Sequence, residues 1–409
     1  MAKQEAKTAV PRLRFPEFRD REGWKGVALG DASTPVSQRV GERKLTPVSI
    51  SAGIGFVPQA EKFGRDISGN QYALYTLVRD GDFVYNKGNS LKFPQGCVYQ
   101  LRGWGEVAAP NVFISFRLKQ GFVAEFYQYC FERNIHGLQL QKHITSGARS
   151  NGLLNVSKDQ FFGVEILTPQ QDEQKKIADC LTSLDEVIAA QVRKVEALKA
   201  HKRGLMQQLF PREGETCPRL RFPELRNAPE WEAKEVGDIF RVTRGEVLAM
   251  SLVESKRSNE NQYPVYSSQT KNQGMAGFYS KFLYENAITW TTDGANAGEV
   301  NYRDGKFFCT NVCGVLLNDE GYANSCVAAL LNTVTRSHVS YVGNPKLMNG
   351  VMARITIPLP SLEEQQRIAD CLSSLDTRIT AETARLAALK THKQGLMQQL
   401  FPAQEATTA

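Results

Sequence analysis

The sequence predicts an α+β protein: two similar globular domains and two long helices that pair as an antiparallel coiled coil about a pseudo-two-fold axis. Two observations predict it. One is an internal duplication, in which residues 169–211 align without gaps on 360–402 at 26 of 43 identical positions, and "PRLRFPEF" (11–18) recurs as "PRLRFPEL" (218–225). The other is a seven-residue apolar repeat within both copies of the longer segment. A spacing of about 200 residues is far beyond the roughly 20–50 of stacked-repeat proteins, so each half needs its own core.

The duplication sets the boundaries. Residues 1–168 form a first domain with its N-terminal segment, 169–211 a first helix, 212–359 a second domain, 360–402 a second helix and 403–409 a tail. Trp24 and Asp31 recur as Trp231 and Asp238, and the second copy is 16 residues shorter between its repeated ends. Residues 32–168 and 239–359 share little identity while their flanks are near copies. The two frames therefore do one job and the two inserts do different ones.

Each helix opens after a proline (Pro169, Pro360) and closes before another (Pro211, Pro402), where helices begin and end. Ile177, Leu181, Leu184, Ile188, Val195, Leu198, Leu205 and Leu209 follow alternating four-three spacing, interrupted only by Gln191 and Lys202. The second copy repeats this as Ile368, Leu372, Leu375, Ile379, Leu386, Leu389, Leu396 and Leu400, interrupted by Glu382 and Lys393. Such a seam is that of a coiled coil. A helix packed on its own domain is the alternative, and the length, narrowness and charged flanks of both seams favour pairing of the two helices. Parallel pairing would set Lys202 against Lys393, a buried like-charge contact. Antiparallel pairing is expected instead, with Lys202 opposite Glu382, Gln191 opposite Lys393, Val195 facing Leu389 and Leu198 facing Leu386. The paired helices would then hold two domains at a set spacing.

Strand-like alternation at 81–90, 96–101 and 111–119, followed by helical spacing at 121–134, predicts an α+β insert. The second insert has the same order: strands at 286–294, 299–308 and 312–318, then a helix at 322–336. Each ends in a strand, 161–169 or 351–360, that leads into its long helix. Between these elements lie loops rich in Lys, Arg, Asn, Gln, Ser and Gly at 86–93, 143–152, 267–274, 291–298 and 343–350. Arg and Lys pair with guanine, Asn and Gln with adenine, and basic side chains and glycine-exposed amides hold phosphates. Lys87, Asn89, Lys92, Arg149 and Asn151 in the first domain, and Gln269, Lys271, Asn272, Asn296 and Lys346 in the second, are the candidate DNA contacts. Taken singly, each such residue also reads as part of a solvated loop.

Composition excludes several classes. Phe 21, Tyr 13 and Trp 4 supply enough aromatic side chain to build cores, against a chain that is disordered throughout. No apolar run approaches the ~20 residues of a membrane span, and the opening residues lack the apolar block of a signal peptide; a cytoplasmic protein is expected. Lys+Arg 50 against Asp+Glu 43 leaves a net charge of +7, compatible with nucleic-acid binding but not diagnostic of it. The eight cysteines include no Cys-x-x-Cys pair, and Cys309 and Cys313 lie in an apolar stretch without histidine at ligand spacing, so no metal site is expected. Phosphate-loop, dinucleotide, zinc-protease and serine-elbow motifs are missing. The five histidines (136, 143, 201, 338, 392) offer no triad, so the chain alone is not expected to catalyse a reaction.

The paired segments "LTPQQDEQKKIADCLTSLDEVI…LKAHKRGLMQQLFP" and "PLPSLEEQQRIADCLSSLDTRI…LKTHKQGLMQQLFP", each after a divergent insert, resemble the repeated spacer regions of specificity subunits of type I restriction-modification enzymes. The resemblance covers essentially the whole chain. It implies that the two α+β domains are target recognition domains, each reading one half of a bipartite double-stranded DNA sequence, and that the helices set the unread gap. It also implies partners: methyltransferase (modification) subunits that use S-adenosylmethionine, and restriction (translocase and nuclease) subunits that use ATP and Mg. This chain would itself bind no cofactor. A coiled-coil scaffold whose domains bind proteins instead of DNA is the alternative.

Overall fold

The computed structural model describes residues 8–88, 93–144, 153–212, 214–268 and 272–403. They form two compact units: residues up to Gln191 together with Arg385 onward, and Val192–Ala384. The two long helices, Gln171–Leu209 and Leu362–Leu400, are 39 residues each, about 58 Å at 1.5 Å per residue. Each helix contributes to both units, so the compact bodies cut across the contiguous segments read from the sequence. Among the described residues no helix is long and apolar enough to cross a membrane.

In the first unit, strands Ser33–Pro35, Ile114–Leu118, Phe83–Asn86 and Cys97–Gln100 form an antiparallel sheet in that order. The helix Ala124–Glu132 buries Phe126, Tyr127, Tyr129, Cys130 and Phe131, and a core of Trp24, Phe83, Tyr85, Phe116 and Phe161 lies with it. A second sheet, Gly55–Pro58, Thr46–Ser51, Glu106–Ala109 and Thr76–Arg79, contains one parallel pair. The short helix Lys158–Phe162 opens on a capping box between Ser157 and Gln160, which satisfies otherwise orphaned amides. It occupies the start of a segment expected to be all strand, and only Glu165–Thr168 is extended.

In the second unit one six-stranded sheet runs Arg241–Arg244, Cys313–Leu317, Tyr284–Thr291, Val300–Cys309, Tyr263–Tyr266 and Met275–Tyr279. Its sole parallel pairing, Tyr263–Tyr266 with Val300–Cys309, repeats the one in the first unit. Among the described residues this sheet has no counterpart of strand Thr76–Arg79, one place where the shorter copy is reduced. Trp290 is fully buried and lies so close to Gly314 that a Cβ there would sit 2.1 Å from its ring.

The repeated openings now have a structural reason. Arg14 donates from Nε and a terminal nitrogen to the two oxygens of Glu173 at 2.8 and 2.7 Å, and Trp24 Nε1 donates to the same carboxylate at 3.2 Å. Arg221, Glu364 and Trp231 reproduce this at 2.9, 2.7 and 3.0 Å. Glu173 and Glu364 belong to the first turns of the long helices, where a carboxylate also favours the helix dipole. Each opening segment is thus bolted to the start of its helix.

Within each unit the two helices run antiparallel, and every seam position named from the heptads is buried or half-buried. The polar partners differ from those expected. Lys202 binds both oxygens of Asp376 at 2.6 and 2.7 Å, not Glu382; Glu382 pairs with Lys194. Lys393, expected opposite Gln191, instead meets Asp185 at 2.7 Å and Glu132 at 3.2 Å. Lys202 therefore finds its acid six residues nearer the helix start, about 9 Å away. The physical reason is reach: a lysine stem lies along the apolar seam while its ammonium extends to a flanking acid, so polar seam residues need not face one another.

Candidate nucleic-acid interface

The candidate residues sit where strands end and the irregular connections begin. In the first unit, strand Phe83–Asn86 delivers Lys87, half-buried, whose carbonyl accepts from Leu154 N at 2.8 Å and whose ammonium donates to Val156 O at 3.4 Å. Gly88 bridges to Leu153, so the edges of two separately predicted loops lie side by side. Asn86 organises the turn: its amide donates to Ile50 O and its oxygen accepts from Gly88 N, each at 2.7 Å. Asn89, Lys92, Arg149 and Asn151 lie outside the described residues.

The second unit repeats the arrangement with different side chains. Leu347 N donates to Thr292 O at 2.9 Å and Asp293 bridges to Lys346, which brings the loops of Asn296 and Lys346 together. Lys346 is exposed and shares its charge with Asp293 at 3.6 Å. Asn296 is half-buried, its carbonyl accepting from Glu299 N in a turn. Asn272 is exposed and left-handed, with φ 51°. Gln269 and Lys271 lie outside the described residues.

Several residues were missed. In the first unit a groove of about 190 Å³ is lined by Ser37, Arg39, Thr76, Asn111, Ser115 and Lys158, and the buried Ser115 hydroxyl has no hydrogen-bond partner. Ser115 pairs with Val84 in the strand that leads to Lys87. In the second unit Arg303 is buried within a strand, its guanidinium 3.7 Å from the Tyr266 ring centroid, and burial holds its pKa below the usual arginine value. The strand itself was expected at 299–308, and a charge in mid-strand was the signal that could have singled out Arg303. The tip residues Tyr341 and Val342 of the hairpin closed by Ser340 and Lys346 are 69% and 92% exposed.

Cys309 and Cys313 are buried strand residues; burial raises both thiols, Cys313 to about 11. Among the described residues no three His, Cys, Asp or Glu side chains converge as a metal site. What the geometry builds in each unit is a polar, partly basic loop edge on a rigid sheet. Two unlike edges stand on one duplicated frame.

A family model described as the type I restriction modification DNA specificity domain matches residues 229–391. The N-terminus of a type I specificity subunit of Mycoplasma pneumoniae is 39% identical over 144 residues, covering 34% of this chain and 75% of that protein. A second specificity subunit of that organism is 31% identical over 216 residues, 52% of this chain and 81% of the relative. The crystal structure of the type I restriction-modification S subunit from M. genitalium matches 97% of this chain and 100% of its own length, with TM-score 0.61 at 15% identity, a likeness of fold. The chain belongs to the specificity subunits of type I restriction-modification systems.

Proposed function

We propose that this chain reads a bipartite DNA duplex, one globular part per half-site, and that its paired helices set the length of the unread gap. The observation that carries this reading is the contrast between frame and edge: Arg14–Glu173 and Arg221–Glu364 are copies, whereas the joined loop edges, Lys87 and Gly88 with Leu153 and Leu154 and Thr292 and Asp293 with Lys346 and Leu347, differ in side chains. Pseudo-repeated readers suit half-sites about one helical turn apart.

The exposed faces of the long helices carry identical residues in both copies, among them Ser183 and Ser374, His201 and His392, and Gln207 and Gln398. Repetition of solvent-facing residues supports docking of one partner per copy. Methyltransferase subunits, with S-adenosylmethionine, would dock there. Restriction subunits, with ATP and Mg, would complete a restricting complex. On this reading the chemistry resides in those partners and this chain directs it.

The test is exchange. Replacing the first globular part with that of another specificity subunit is expected to change one half of the methylated sequence and leave the other half intact; an unchanged sequence sinks the reading. Duplex binding that weakens with salt along a negative log-log slope separates it from a scaffold that binds only proteins.

A further inference from the structure

Asn272, Gln273 and Gly274 follow one another in the left-handed region, with φ 51°, 53° and 84°. Glycine enters that region freely and asparagine is enriched there, but glutamine has no such tolerance. A glycine at 273 would hold the same turn without strain. The exposed amide of Gln273 is therefore kept against the backbone's preference, and such strain marks functional positions.

The turn is also held from below. Arg303 donates to the Gln273 carbonyl at 2.8 Å and to Thr289 Oγ1 at 2.9 Å while stacking on Tyr266. Ser267 N donates to Gly274 O at 2.8 Å, which closes the turn onto the sheet. Ser267, Thr289, Thr291 and Arg303 line a small polar cavity beneath it. The Thr289–Thr291 strand end is also the root of the loop that carries Asn296, so the turn belongs to the same edge.

We propose that Gln273 is a specificity-determining residue of the second half-site, its amide reading the major-groove edge of an adenine, and that Arg303 is the positioning residue that fixes the turn. The bidentate pairing of a glutamine amide with adenine N6 and N7 supplies the chemistry. This inference rests on the DNA-reading role above. Arg303 is itself buried and meets the turn at the carbonyl of residue 273, so losing it and losing the Gln273 amide are expected to affect the same base pair.

The full-length chain, purified with its methyltransferase partner, is used to select from randomised DNA duplexes as wild type, Q273G, R303M, R303K and Q273G/R303M. Q273G relieves strain, so its thermal unfolding is expected at or above the wild-type temperature. It is expected to lose roughly 10- to 100-fold discrimination at one adenine position of one half-site, the other half-site and the gap staying as they were. R303M is expected to lose preference at that same position, R303K to keep part of it, and the double variant to lose no more than Q273G. A clear wild-type motif that Q273G leaves intact overturns the proposal alone. So does an R303M that weakens all sequences equally. A wild-type chain that enriches no bipartite motif overturns the reading beneath it as well.

Discussion

The Arg14 guanidinium grips both oxygens of Glu173 across 159 residues of sequence, and both side chains are buried. Removing one partner of such a pair strands the other charge away from water. Glu173→Ala is expected to cost about 3–5 kcal/mol in urea unfolding, and Glu364→Ala a similar amount in the second unit. A loss below about 1 kcal/mol, the range of an exposed pair, would show that this contact does not anchor the helix start.

The register can be tested by charge exchange. Lys202 and Asp376 are partly exposed, so a double-mutant cycle of Lys202→Glu with Asp376→Lys is expected to give a coupling of about 0.5–1 kcal/mol. The cycle with Glu382→Lys is expected to give none. Coupling to Glu382 instead would restore the register expected from the heptads.

Lys393 is set more tightly than Lys202, with Asp185 and Glu132 at its ammonium and the Tyr129 ring 5.0 Å away. Lys393→Met is therefore expected to destabilise more than Lys202→Met, by about 1 kcal/mol or more. Equal losses in thermal unfolding would mean that these extra partners add nothing.

His136 is buried between the rings of Tyr85 and Phe131, and burial lowers its pKa from 6.5 to about 4, only partly offset by the Gly96 backbone. Between those values the unfolded chain binds a proton that the folded chain refuses, so stability rises with pH across that window and is lost as pH falls through it. The contribution is of order 3 kcal/mol at neutral pH. Denaturant titrations at pH 4.5 and 7 measure it, and His136→Phe is expected to flatten the difference. An unchanged slope in that variant would assign the pH dependence elsewhere.

Gly314 lets Trp290 lie on the strand backbone, with Trp290 Nε1 donating to Leu347 O at 3.0 Å. Gly314→Ala is expected to displace the indole and cost about 3 kcal/mol, seen as a lower unfolding midpoint and altered tryptophan fluorescence. A fluorescence spectrum and midpoint matching wild type would refute that packing.

The heptad seam and the globular frame were legible because burial follows periodicity: Ile177, Leu181, Ile368 and Leu372 are buried as their spacing requires. The partners of the seam lysines were not, because they are Asp185 and Asp376, which flank the seam. A signal existed, since both acids and both lysines are identical between the copies and pair with one another. Loop composition found Lys87, Asn272, Asn296 and Lys346 at strand edges. It could not find Arg303, whose role depends on a carbonyl 30 residues away, or Gln273, whose left-handed backbone has no signature in glutamine itself.

Phe401 stacks on Phe126 and meets Trp24 edge-on, and Leu13 N donates to Gln399 O at 3.0 Å. The complete core of the first unit therefore includes residues made after the whole of the second. That core is completed only once the last helix has emerged, so the order of synthesis and the order of completion are inverted in this chain.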